Sequence, residues 1–359
     1  MNHFGNSARR SVAALLLALA CLDAASAAGF AQASQPLPPA LIVKKDSFSA
    51  ADTQATEAFV AANKAGLLGD ADAIRTARGI LLRPLADAPS LNFRLAYAAA
   101  LRPVLDELVA TGRPATVINA LRIAGEAGAT GTLAVLFGPL DVTKEVAPAI
   151  RIAASVGLAR MFEITAKFES AVNPADLDKA VSLLIDVASK VNDPDVCDAA
   201  LRSLGMALRI GEPKANPTLQ SKVVDNLATI ASMRAQGIKD LASAAYMPAV
   251  LRVAGFLREV VTDDSGKTKQ LAAPVYKNVA AYAGDLAVAI VRLRNVQGID
   301  KSMVEQASGA AGTIVVLSNT LIDRAAKPLR PPTSVDELIG PTGWLTKPPF
   351  NFAADRFVP

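Results

Sequence analysis

The carboxylates of Asp193, Asp195 and Asp198, and a second group at Asp70 and Asp72, lie close enough in sequence to gather oxygens around a hard cation. A calcium-loop site also needs several converging oxygens and a turn glycine, and neither group has that glycine. Both groups sit where a helix would start, so capping and favourable placement in the helix dipole are their expected roles. Gly266-Lys267-Thr268 has the ending of a phosphate-binding loop. The first glycine of that motif would fall at Val261, and no strand pattern precedes it, so Thr262 to Lys267 reads as a solvated loop. Nucleophilic chemistry lacks its base, because the single histidine, His3, falls in an N-terminal segment with the form of an export leader. There is also no Gly-x-Ser-x-Gly elbow and no Ser-x-x-Lys. No catalytic residue, metal ligand or cofactor is assigned. With Cys21 in the leader, Cys197 has no partner and is expected to be a buried small apolar residue.

Binding chemistry gathers instead at the C-terminal end. The 32 residues from Pro328 hold seven prolines together with Trp344, Phe350, Phe352 and Phe357, a composition that excludes a continuous helix. One role for this tail is to cover the last helices, with Trp344 and Phe350 packed around Val315, Leu317 and Leu321. The other is to dock into a protein partner through Trp344, Phe350, Phe352 and Phe357, since aromatic anchors dominate such contacts.

The N-terminus fixes the expected address. Arg9 and Arg10, the apolar run from Val12 to Leu22 and the small-residue site Ala25-Ser26-Ala27 have the order of a secretory signal. The run is too short to span a bilayer, so residues 1–27 are set aside as a cleaved signal peptide and the protein is expected in the periplasm or outside the cell. Arg9-Arg10 is followed by Ser11-Val12-Ala13, which departs from a twin-arginine signal, and Cys21 after Ala18-Leu19-Ala20 is the minority reading, a lipid anchor. Losing Arg9, Arg10 and Asp23 takes the net charge from +4 to +3. A pI near 9.0 thus reflects a small surplus rather than a basic face, and nucleic acid is not an expected partner. The long uncharged stretch from Gln306 to Ile322 carries Ser, Thr, Asn and Gly, and no transmembrane span is expected in the mature chain.

The elements behind these residues are helical. Residues 28–47, with Pro36, Pro38 and Pro39, read as an extended leader; 48–327 as a helical domain; and 328–359 as the tail. From Asp176 to Val191 the apolar residues Leu177, Ala180, Val181, Leu184, Ala188 and Val191 follow a 3.6-residue period. The same pattern returns at Val196, Ala200, Leu204 and Leu208, and at Leu219, Val223, Leu227 and Ile230. Asn173-Pro174, Asp193-Pro194 and Asn216-Pro217 supply an N-cap followed by proline at each start, which sets a two-helix unit of about 43 residues. The run Pro148-Ala149-Ile150-Arg151-Ile152-Ala153-Ala154-Ser155-Val156-Gly157 resembles the second helix of a HEAT/armadillo-type repeat. Asp193-Pro194-Asp195-Val196 with Ala199-Ala200-Leu201 is similar to it, Cys197 standing in the arginine position, and Phe93-Arg94-Leu95-Ala96 and Pro248-Ala249-Val250-Leu251 echo it. The resemblance implies an all-α chain forming a right-handed α-solenoid of antiparallel helix pairs; an irregular helical bundle is the competing arrangement.

The function expected from these features is an exported, non-catalytic scaffold that binds a protein partner in the cell envelope. A histidine-independent enzyme acting on envelope polymers and a ligand-carrying helical protein are the alternatives. The leader assignment predicts that intact-mass measurement of exported material finds a mature chain starting at Ala28. An acylated N-terminus at Cys21 would establish the lipoprotein instead.

Overall fold

The computed structural model describes residues 36–86, 88–211, 217–261, 275–322, 332, 334–340 and 343–357. Among these it is all-α, and its one β feature is an isolated bridge between Ala129 and Ala171. A short helix α1 (Pro39–Ile42) is followed by α2 (Ala50–Leu67), α3 (Ala71–Ala86), α4 (Leu91–Ala110), α5 (Pro114–Ala127), α6 (Thr130–Leu140) and α7 (Pro148–Lys167). Then come α8 (Pro174–Lys190), α9 (Pro194–Ala207), α10 (Pro217–Gly237), α11 (Met247–Val261), α12 (Tyr276–Leu293), α13 (Lys301–Ile322) and α14 (Val335–Ile339). No helix among the described residues is long and apolar enough to cross a membrane.

Local chemistry sets the helix starts. Asn173 accepts from the Asp176 amide and Asp193 from the amides of Asp195 and Val196, each followed by proline at the first helical position. Ser49 and Asp52 form a reciprocal capping box at α2. Asp70 caps α3 through the amides of Asp72 and Ala73. Asn216 and the segment from Thr262 to Lys267 lie outside the described residues.

The helices pack in two series. α2, α4, α6, α8, α10 and α12 pack each on the next, as do α3, α5, α7, α9, α11 and α13, and the series meet through the pairs α2–α3, α4–α5, α6–α7, α8–α9, α10–α11 and α12–α13. In the pair α8–α9, joined by only three residues and so antiparallel, Leu177, Val181, Leu184, Val196, Ala200 and Leu204 are all buried. The buried residues form one contiguous core through the whole stack. Polar ties follow the same two-helix step. Ser203 donates to the Ser155 carbonyl at 2.7 Å, Lys222 to Asp178 at 2.8 Å, Arg252 to Asp198 at 2.8 Å and Asn278 to Asp225 at 2.7 Å. The residues 36–47 are not merely extended: Leu37 and Leu41 join the core, and the Ile42 carbonyl accepts from the Ser90 amide at 3.0 Å.

Where α5 crosses α7 the two backbones touch. A Cβ on Gly125 would lie 2.5 Å from the Gly157 carbonyl oxygen and 2.6 Å from its Cα, a clash with backbone that no rotamer relieves. Alanine is the better helix former by about 1 kcal/mol, but overpacking of this kind costs about 1–3 kcal/mol. Gly125→Ala is therefore expected to lower the urea midpoint. An unchanged or raised midpoint would mean that α5 and α7 separate without loss.

Candidate functional site

The tail closes on α12. Helix α14 and the 3-10 turns Trp344–Thr346 and Ala354–Phe357 all pack on that helix, rather than chiefly on the Val315–Leu321 stretch of α13. The structure brings three of the four tail aromatics, Phe350, Phe352 and Phe357, into contact. Phe350 and Phe352 stack at 6.5 Å, Phe352 meets Phe357 edge-on at 5.8 Å, and the Arg356 guanidinium lies 4.9 Å from the Phe352 ring. Phe350 and Phe357 are buried, while Trp344 and Phe352 are half-buried against the core. The Phe357 ring occupies the space a side chain at Gly284 would need. As a result every residue from Val279 to Ile290 is buried, and α12 has no solvent face over that length.

Asp285 sits in this buried helix and accepts hydrogen bonds from Ser232 and from Gln236. Burial pushes its carboxyl above the ordinary carboxylate range, opposed by those two donors.

The acidic groups singled out in the sequence are occupied by structural work. Asp193 and Asp70 are helix caps, Asp198 is bridged by Arg252 and Arg202, and Asp72 pairs with Arg75. Cys197 is fully buried with its thiol pushed up to about 11 by burial, which makes it a core group rather than a nucleophile.

A second region was not marked by sequence reasoning. Between α3, α4, α5 and α7 lies a cleft of about 340 Å³ walled by Leu82, Leu85, Ile164 and Phe168, with Arg94, Glu126, Arg160 and Lys167 among its polar lining. Arg160 donates to Glu126 at 2.8 Å and to Glu163 at 2.7 Å, and Lys167 donates to Glu163 at 2.6 Å. Lys167 and Arg160 hold the Glu163 carboxyl below its usual range. Arg94 differs. It is only 2% exposed, it donates through Nη1 to the Ala127 carbonyl at a long 3.3 Å, and its guanidinium lies 5.2 Å from the Phe168 ring. Its Nε is buried with no hydrogen-bond partner. Burial lowers the Arg94 pKa, and the neighbouring Arg160 charge adds to the effect. The available signal was an arginine on the apolar stripe of α4, next to Phe93 and one turn before Ala98, both fully buried.

A further hollow of about 310 Å³ between α11 and α13 is floored by small residues such as Gly255, Gly309 and Ala310. In comparisons with family models, curated proteins and solved structures, nothing matches this chain.

If the tail is part of the packed body, Phe357→Ala should cost about 3–5 kcal/mol, as for other buried phenylalanines. Thermal or urea unfolding measures this, and a loss below about 0.5 kcal/mol would show that the ring contributes nothing to the closure of α12.

Proposed function

We propose that this chain is an exported, non-catalytic scaffold of HEAT-like helical repeats, arranged as a right-handed α-solenoid, that holds a protein partner in the cell envelope. The observation that supports this most is the two-helix step. Among the described residues six helix pairs pack in two series, and the polar ties between helices two places apart span 29 to 56 residues. An array in which each unit contacts only its neighbours presents long, continuous outer faces, the surfaces that repeat proteins use to hold partners. The tail aromatics favour closure of one end over docking, because Phe350 is buried in the core and Phe357 is spent on packing against α12. The binding surface is then one of the helix series. Leu95 on α4 and Val156 on α7 are large apolar side chains left exposed, one on each series.

A photo-crosslinking residue placed at Leu95 or at Val156 tests this in the native envelope. The expected outcome is a defined protein adduct from one of the two series and not from the other. Absence of any protein adduct from either series, with turnover of an envelope polymer by the purified chain, would replace the scaffold by the enzyme alternative.

A further inference from the structure

Two other arginines spend their donors on the fold. Arg234 donates to the carbonyls of Ala188, Ser189 and Val191 and to Asn192, and Arg151 donates to the carbonyls of Asp141 and Lys144. Arg94 is more deeply buried than Arg151, yet it has a single long bond to Ala127 and an Nε–H with no acceptor. A buried guanidinium without a carboxylate is costly. The two carboxylates nearby do not remedy this, because Glu126 is bonded by Arg160 and Glu163 by both Arg160 and Lys167. Among the described residues the cleft and its rim therefore hold three cations, Arg94, Arg160 and Lys167, against two anions, Glu126 and Glu163.

We propose that this cleft binds a small monocarboxylate, with its head between Arg94 and Arg160 and its apolar body against Leu82, Leu85, Ile164 and Phe168. The surplus of one positive charge matches a monoanion. A phosphate dianion would bring a second charge beside Glu126 and Glu163, where like charges repel. The flat guanidinium edge that includes Nε–H suits the two oxygens of a carboxylate. An anion placed there also relieves the repulsion between Arg94 and Arg160. The volume of about 340 Å³ falls within the range of small-molecule sites, which pair apolar walls with a few polar groups. Phe168, the C-cap residue of α7 and only half-buried, is the part of the wall that yields when the head reaches Nε. This site is independent of whether the chain also holds a protein partner.

Calorimetric titration of the full mature chain with hexanoate, 1-hexanol and inorganic phosphate tests the proposal. Hexanoate should bind at one site and raise the melting temperature, 1-hexanol and phosphate should not, and Arg160→Gln should weaken hexanoate by about tenfold or more, the usual effect of losing a charge-assisted bond. Arg94→Leu should abolish binding. Should that variant fail to fold, Arg160→Gln and the alcohol comparison carry the test. Equal binding of hexanoate and 1-hexanol would reduce the site to an apolar hollow, preferential binding of phosphate would reassign it, and no binding of hexanoate at all would overturn it.

Discussion

Close approach between helices two places apart in the chain is the constraint on which this structure rests. A helix pair buries only the faces that its two members turn toward each other, so each pair needs the next to cover what remains. The chain meets this with small residues at the crossings. Gly125 and Gly157 let α5 and α7 meet backbone to backbone, and Gly205 accepts the Phe256 ring as Gly284 accepts that of Phe357. Close approach increases dispersion contact without large side chains, which is why a chain with 5% aromatic residues can still form one continuous core.

Polar groups also join consecutive helices. The tyrosines Tyr97 and Tyr282 are fully buried, and each donates its hydroxyl to a carbonyl of the preceding helix, at Leu81 and Val250. Those bonds satisfy the hydroxyls in places where water has no access. Arg234 caps the C-terminal end of α8 from α10 and lies 4.9 Å from the Tyr246 ring, so a single side chain neutralises a helix end and packs an aromatic. Among the described residues Arg94 Nε and Thr116 Oγ1 are the buried side-chain atoms left without a hydrogen-bond partner, and of the two only Arg94 lines a cleft.

Helices were legible in the sequence wherever periodicity and capping agreed. The segments read from Pro174 and Pro194 begin at those residues in the structure, and the apolar positions named for them are buried. The destination of the tail was less legible, because proline content says where helix stops and not which surface receives the chain. The sign of it was present in α12, where Val279 to Ile290 is apolar all round except for Asp285. A helix of that kind needs cover on every side, and α13 supplies only part of it. The Arg94 cleft was hidden for a different reason: its groups come from Leu82, Arg94, Glu126 and Arg160, and only packing brings such distant positions together.

Both ends of the described stack are tied down by segments outside the helix pairs. At the start, Lys44 pairs with Asp52 while Ser90 and Asn92 hold the carbonyls of Lys44 and Lys45; at the far end the tail lies over α12. Such an architecture is bracketed. If the pairs are repeats as proposed, a gene duplication that lengthened the array would be tolerated between pairs, where a new unit finds a matching face on each side, and rejected at the ends, where it would displace a segment already fitted to the outermost helices. Variation in length among descendants of this chain should therefore be internal, with the opening segment and the aromatic tail kept together as a matched pair of terminators.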